Sequence, residues 1–193
     1  MPKKTVVTTV FWVGETASAE NGNIANLASA WDENWQQHFG GVDDPVKRNG
    51  YQPAAFKPKE NTFYFALPYN DISEAGVRKV TAKSCSNAKS LGLQHYSWCK
   101  NSWIAISYKD KIAYAQWEDV GPYLEDDSAY VFGNKPPANR TDAAAGLDVS
   151  PAVRDYLGLN GLNKTSWWFV DASRVLNGPW KNVVTLSKGD SLD

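Results

Sequence analysis

Apolar and polar positions along the chain alternate mostly at strand spacing. Residues 5–13, TVVTTVFWV, are β-branched and aromatic and predict a first strand. NTFYFALPYND at 61–71 predicts a second strand ending in a turn. SWIAISYKDKIAYAQWEDV at 102–120 predicts a hairpin, with strands 103–108 and 112–118 around Lys109-Asp110-Lys111. WWFVDASRV at 167–175 predicts a last strand. Helical spacing occurs twice. Leu27, Trp31, Trp35 and His38 predict a helix over 25–38. At 150–158, Ser150 suits an N-cap, Pro151 the first helical position and Gly158 the stop, with Leu147-Asp148-Val149 leading in.

Between these elements the pattern weakens. Residues 16–60 carry Gly, Asn, Asp and Pro throughout (ENGN, FGGVDDP, KRNGYQP) and read as ordered loop wrapped on a core. A looser segment with Pro136-Pro137 follows the hairpin, and the final SKGDSLD reads as a loose tail. The expectation is a single domain over 1–193, mainly β, with its core at about 5–15 and 61–175 and a long insertion at 16–60.

Composition narrows the function. The 193 residues include 42% apolar and 21% charged side chains, enough for an ordinary globular core. The net charge of −1 argues against a nucleic-acid partner, which needs a basic surface. No apolar run approaches the roughly 18 residues of a membrane span. The nine Trp are unusual. Most belong to a core, but an indole face also stacks on the C–H face of a sugar ring, so a polysaccharide partner comes into view. Cys85 and Cys99 enclose a short polar loop, and a disulfide there is worth roughly 3 kcal/mol on the loop-entropy account. It implies an oxidising compartment, secreted or periplasmic, with MPKK as a replacement start on a mature chain. No Cys/His cluster has zinc or redox spacing, and no phosphate loop or G-x-S-x-G nucleophile turn occurs. Neither a metal nor a cofactor is expected, and the chain reads as a monomer.

Two carboxylates draw the eye. Asp119 ends the hairpin's second strand just before Gly121-Pro122, and Asp148 immediately precedes the capped helix, whose positive end favours an ionised carboxylate. Two carboxylates across a cleft are the equipment of glycoside cleavage. Each also has a structural reading, Asp119 as a cap on the Gly-Pro turn and Asp148 as a residue of the helix start.

The ordered set Asp119-Val120-Gly121-Pro122-Tyr123, Leu147-Asp148-Val149-Ser150 and Leu157-Gly158, with FALPYND upstream, resembles the double-psi β-barrel of rare lipoprotein A-like proteins. Their pattern is D-R-G-P-F, then I-D-L-S and a helix ending in L-G. Expansins, family 45 endoglucanases and the membrane-bound lytic transglycosylase A group share that barrel. TVFWVGE is loosely similar to the T-x-Y-W-D opening strand of the endoglucanases. The resemblance covers about 61–175 and the first strand, and implies a six-stranded double-psi barrel with short helices. It implies a cleft carboxylate at Asp148, the acid in the endoglucanases, and one at Asp119, linked to glycan-strand cleavage in the lipoprotein A-like enzymes. The chain departs from the family at Val120, where Arg is usual, at Gly146-Leu147, where His-Phe is usual, and before the L-P strand, where a His is absent. The stretch from Tyr123 to Leu147 is longer than in the bacterial wall enzymes and is expected to edge the cleft.

The expected function is therefore a secreted polysaccharide-active protein that cleaves β-1,4 bonds of a glucan or of peptidoglycan strands, or a non-catalytic expansin-like binder. An inhibitor or effector on the same barrel is a third reading. The candidate catalytic residues are Asp119, Asp148 and Asp71, with Glu15 and Glu118 as weaker carboxylates. Strand alternation puts Glu118 and Asp119 on opposite faces, one of them toward solvent. Trp12, Tyr69, Trp117 and Tyr123 are candidate substrate-binding residues. Asp43-Asp44 and Asp126-Asp127 read as solvated turns, and His38 and His95 as isolated. Asn139 and Asn163 each begin a glycosylation pattern.

Overall fold

A computed structural model describes residues 3–19, 21–88 and 93–192. In chain order the strands are β1 (Lys4–Val10), the short pair β2 (Arg48–Asn49) and β3 (Gln52–Pro53), β4 (Tyr64–Leu67), β5 (Trp103–Tyr108), β6 (Lys111–Val120), β7 (Leu147–Val149) and β8 (Asn163–Val170). Three short helices accompany them: α1 (Trp35–Phe39), α2 (Ser128–Val131) and α3 (Pro151–Leu157). Six strands close into a mixed barrel in the order β1-β7-β4-β6-β5-β8. β1–β7 and β4–β6 pair in parallel, and the other neighbours pair antiparallel.

Alternation along the strands divides two cores. Phe65, Leu67, Ile104, Ile106, Ala115, Trp117, Leu147, Val149 and Trp167 fill the barrel. Tyr64 and Ala66, on the other face of β4, join Phe11, Val13, Trp35 and Phe39 in a second cluster outside it. The 16–60 segment supplies that outer cover. Tyr64 meets Phe11, Trp35 and Phe39 edge to face, the geometry that aligns positive ring edges with negative faces.

The 25–38 helix is corrected: only Trp35–Phe39 is helical, and Gly40 ends it in the left-handed conformation. Trp31 and Trp35 are buried at helical spacing, but the segment before them is held by tertiary contacts instead of a helical ladder. The Trp31 indole N–H donates to Asn70, and the Ala30 amide donates to Asp119. Asp43 is also corrected. It is buried, pairs with Arg48 and accepts the Tyr64 hydroxyl at 2.9 Å, so it anchors the wrap. Asp127 is no solvated turn either: it caps α2 and accepts the Ala138 amide at 2.7 Å.

The hairpin and α3 follow the sequence closely. Lys109 adopts a positive φ in the β5–β6 turn. Ser150 accepts the Val153 amide, Pro151 opens α3 and Gly158 closes it at φ 77°. The last strand starts four residues earlier than expected, at Asn163, and ends five earlier, at Val170, with a 3-10 turn over Ala172–Arg174 behind it. The tail is pinned. Asp190 exchanges bonds with the Trp31 carbonyl and the Glu33 amide, and the Leu192 amide donates to the His95 carbonyl. Cys85 and Cys99 form the expected disulfide, their Cα atoms 4.9 Å apart. Among the described residues, no helix is long and apolar enough to cross a membrane.

Candidate functional site

Ala66 on β4 is the ladder partner of Asp148 on β7 and of Asp119 on β6. On β1, Thr9 is the partner of Asp148. Cross-strand partners share a face, so Thr9, Asp148, Ala66 and Asp119 form one row across four strands. All four line an open groove of about 420 Å³ on the outer face of the barrel. The methyl of Ala66 is the smallest side chain that a strand's pleat offers, and it leaves the space between the two carboxyls open.

A β-bulge aims Asp119 into this row. Between the Phe65–Trp117 pair and the Ala66–Asp119 pair the register shifts, with Glu118 as the extra residue on β6. Without it, alternation would turn Asp119 into the barrel beside Trp117. A bulge of this kind re-aims a side chain and bends the strand. The Trp117 indole N–H then donates to the Asp119 carbonyl at 2.8 Å, steadying the bulge from inside.

The expectation that Glu118 or Asp119 faces solvent is corrected: both are buried. Glu118 pairs with Lys100 in an almost solvent-free contact beneath the 16–60 wrap. Burial pushes the Glu118 carboxyl up to about 7, against the opposing pull of Lys100. Its second oxygen and both oxygens of neighbouring Glu60 lack a hydrogen-bond donor.

Asp119 and Asp148 are both pushed up to about 7, in each case chiefly by burial. The opposing forces differ. Asp119 Oδ1 accepts two backbone amides, from Ala30 and Val120, each at 2.8 Å, which favour the anion. Among the described residues, Asp148 accepts only the Thr9 hydroxyl, and it feels the negative charges of Asp119, Glu15 and Asp142. The two carboxyls thus differ in their hydrogen bonding, two amides on Asp119 against one hydroxyl on Asp148. Gly121 lets the turn approach: a Cβ at that position would lie 3.3 Å from Asp148 Oδ2. The Gly121–Pro122 peptide is cis.

Tyr123 reaches the groove at φ 60° and is 36% exposed. Its hydroxyl donates to Asp142, and that bond pushes its pKa to about 12. Asp142 lies on the long connection after α2, which edges the groove as expected. Glu15 also lines it, buried and accepting Asn26 Nδ2 at 2.7 Å. Burial raises the Glu15 carboxyl above its ordinary value.

Other expected site residues lie elsewhere. Asp71 is wholly buried beside the disulfide, accepting Ser97 Oγ and the Trp98 amide at 2.7 Å each. Tyr69 and Trp117 are fully buried, so neither ring has a face open to a ligand. Tyr69 bonds Thr81, and Trp117 stacks on Phe65. Trp12 is half-buried and outside the groove lining. His38 is not isolated but bonds Asp32, which raises its pKa. Asn139 is buried with its amide on the Thr141 and Ala145 carbonyls, so the folded chain does not present it for glycosylation.

Thr9, Ala66 and Asp142 were not singled out from sequence. Thr9 and Ala66 gain meaning only through ladder register, and Asp142 only through its loop's return to the groove. No family model and no curated protein sequence matches this chain.

Proposed function

We propose that the groove binds a polysaccharide and cleaves its β-1,4 linkages by carboxylate acid–base catalysis, on a barrel of the double-psi type. The observation that carries this reading is the Asp148–Ala66–Asp119 row on the groove floor. It joins a buried and a half-buried carboxyl of unequal hydrogen bonding across an open, partly apolar trough. Asp148 protonates the glycosidic oxygen as the bond to the anomeric carbon breaks. Asp119, held as the anion by two amides, takes the proton of the attacking water. In a lytic outcome the sugar's own hydroxyl attacks instead, and one carboxyl suffices. The repulsion between the two carboxyls favours a singly protonated pair, the state such catalysis needs. The six closed strands with two parallel pairs support the double-psi assignment. The Cys85–Cys99 disulfide supports a place outside the reducing cytosol, where the chain acts as a monomer.

A second reading, a non-catalytic glycan binder, is favoured by Tyr123 standing alone as the exposed aromatic ring of the groove floor and walls. Release of soluble fragments from insoluble cellulose, chitin and peptidoglycan separates the two. The expected result is fragments from at least one polymer, abolished in Asp148→Asn and strongly reduced in Asp119→Asn. Binding without fragments, equal in all three proteins, would overturn the catalytic reading.

A further inference from the structure

Tyr123 aside, the ionisable side chains that line the groove are all acids. They are Glu15, Asp119, Asp142 and Asp148, and among the described lining residues there is no lysine, arginine or histidine. The chain as a whole is balanced, with 20 basic and 21 acidic side chains, so the segregation is local. A cleft lined by one sign of charge focuses the field and draws in the opposite sign.

Two of these acids belong to the central row. Glu15 and Asp142 do not. Their donors are neutral, the Asn26 and Asn21 side chains for Glu15 and the Tyr123 hydroxyl for Asp142, and among the described residues neither has a cationic partner in the groove. Asp119 supplies an independent sign of a missing donor. It is only 7% exposed, yet both amides it accepts fall on Oδ1, and Oδ2 receives none among the described residues. That oxygen is open to the groove, where a donor carried by a ligand can reach it.

We propose that the groove selects a cationic amino-sugar polysaccharide, a β-1,4 glucosamine polymer with free ammonium groups, over neutral and uronate glycans. Glu15 and Asp142 hold ammonium groups of the sugars that flank the central row. This rests on the glycan reading above and narrows its substrate class. An ammonium offers three donors and a full positive charge, whereas an acetamido group offers one donor and no charge. A uronate adds a further negative charge to a site already lined by four acids.

The test is calorimetric binding of the intact protein to tetramers of glucosamine, N-acetylglucosamine, glucose and galacturonic acid, at pH 6 and low salt. The glucosamine tetramer is expected to bind at least about tenfold more tightly than the two neutral ones, and the galacturonate tetramer not at all. Raising salt to roughly 0.5 M should erase most of that preference. Asp142→Asn and Glu15→Gln, each checked for native circular dichroism, should each reduce it. Equal affinity for the amino and neutral tetramers overturns the amino-sugar inference and leaves the glycan reading standing. Tightest binding of galacturonate overturns it in the same way. An unchanged preference in both folded variants overturns the roles given to Glu15 and Asp142. Binding of none of the four overturns both readings together.

Discussion

Asp148 and Asp119 stand on either side of Ala66, each its ladder partner on a neighbouring strand. The two carboxyls are thereby set two strands apart, with Cα atoms ~10 Å from one another and nothing larger than a methyl between them. Widening that methyl is the most direct challenge to the site. Ala66→Val is expected to suppress fragment release at least about tenfold. Overpacking of the second cluster should cost about 1–3 kcal/mol in urea unfolding. Full activity in a folded Ala66→Val protein would show that the space over Ala66 is not used.

The singly protonated pair predicts a bell-shaped rate. With both carboxyls near 7 and repelling one another, the pair loses its protons in two steps, one below and one above that value. The singly protonated pair is the active form, so kcat/KM should peak near neutral pH and fall on both sides. A profile that is flat from pH 5 to 9 would remove the pair from the chemistry.

The same carboxyls link stability to pH. Folded Asp148 keeps its proton up to about 7, whereas an ordinary Asp releases it near 3.8. Between those values the folded state binds more protons than the unfolded one, so stability declines as pH rises from about 4 to 7. Asp148→Asn cannot ionise and should escape that loss. It is expected to be more stable than the wild type at pH 8 by about 1–2 kcal/mol and close to it at pH 4. Melting temperatures at the two pH values read this directly.

Among the described residues, Lys100 and Glu118 form the most deeply buried ion pair, 1% exposed on each side. Glu60 adds a second buried carboxyl that feels the same cation. Lys100→Met should leave Glu118 without its cation and destabilise the fold by about 3–5 kcal/mol, with most of the loss recovered in Lys100→Met/Glu118→Leu. Denaturant midpoints of the two variants decide it. A single variant as stable as the double would mean that Glu118 is held neutral without help from Lys100.

Asp71 offers the contrasting case. Its two oxygens are occupied by Ser97 and the Trp98 amide, so Asp71→Asn should cost about 1–3 kcal/mol of stability and leave fragment release at wild-type level. Loss of cleavage in a folded Asp71→Asn protein would return Asp71 to the list of reacting groups.

Local chemistry determined much of this protein from the sequence by itself. The β5–β6 hairpin and α3 lie where strand alternation and the Ser150, Pro151 and Gly158 signals put them, because those signals act within a few residues. The Cys85–Cys99 disulfide was legible too, and the closed barrel was expected from the family resemblance. What tertiary structure decided depends on contacts distant along the chain. A one-residue bulge, set by how β4 and β6 meet, overrides alternation and turns Asp119 into the groove while Glu118 meets Lys100. Burial of Tyr69 and Trp117 takes their rings away from any ligand, because aromatic residues beside a site read the same in sequence whether they face inward or outward. The 16–60 segment lacks a strong periodic pattern because the barrel's outer face, rather than its own backbone ladder, holds it in place. The row through Thr9, Asp148, Ala66 and Asp119 is a property of strand register, and register joins residues that no local pattern connects.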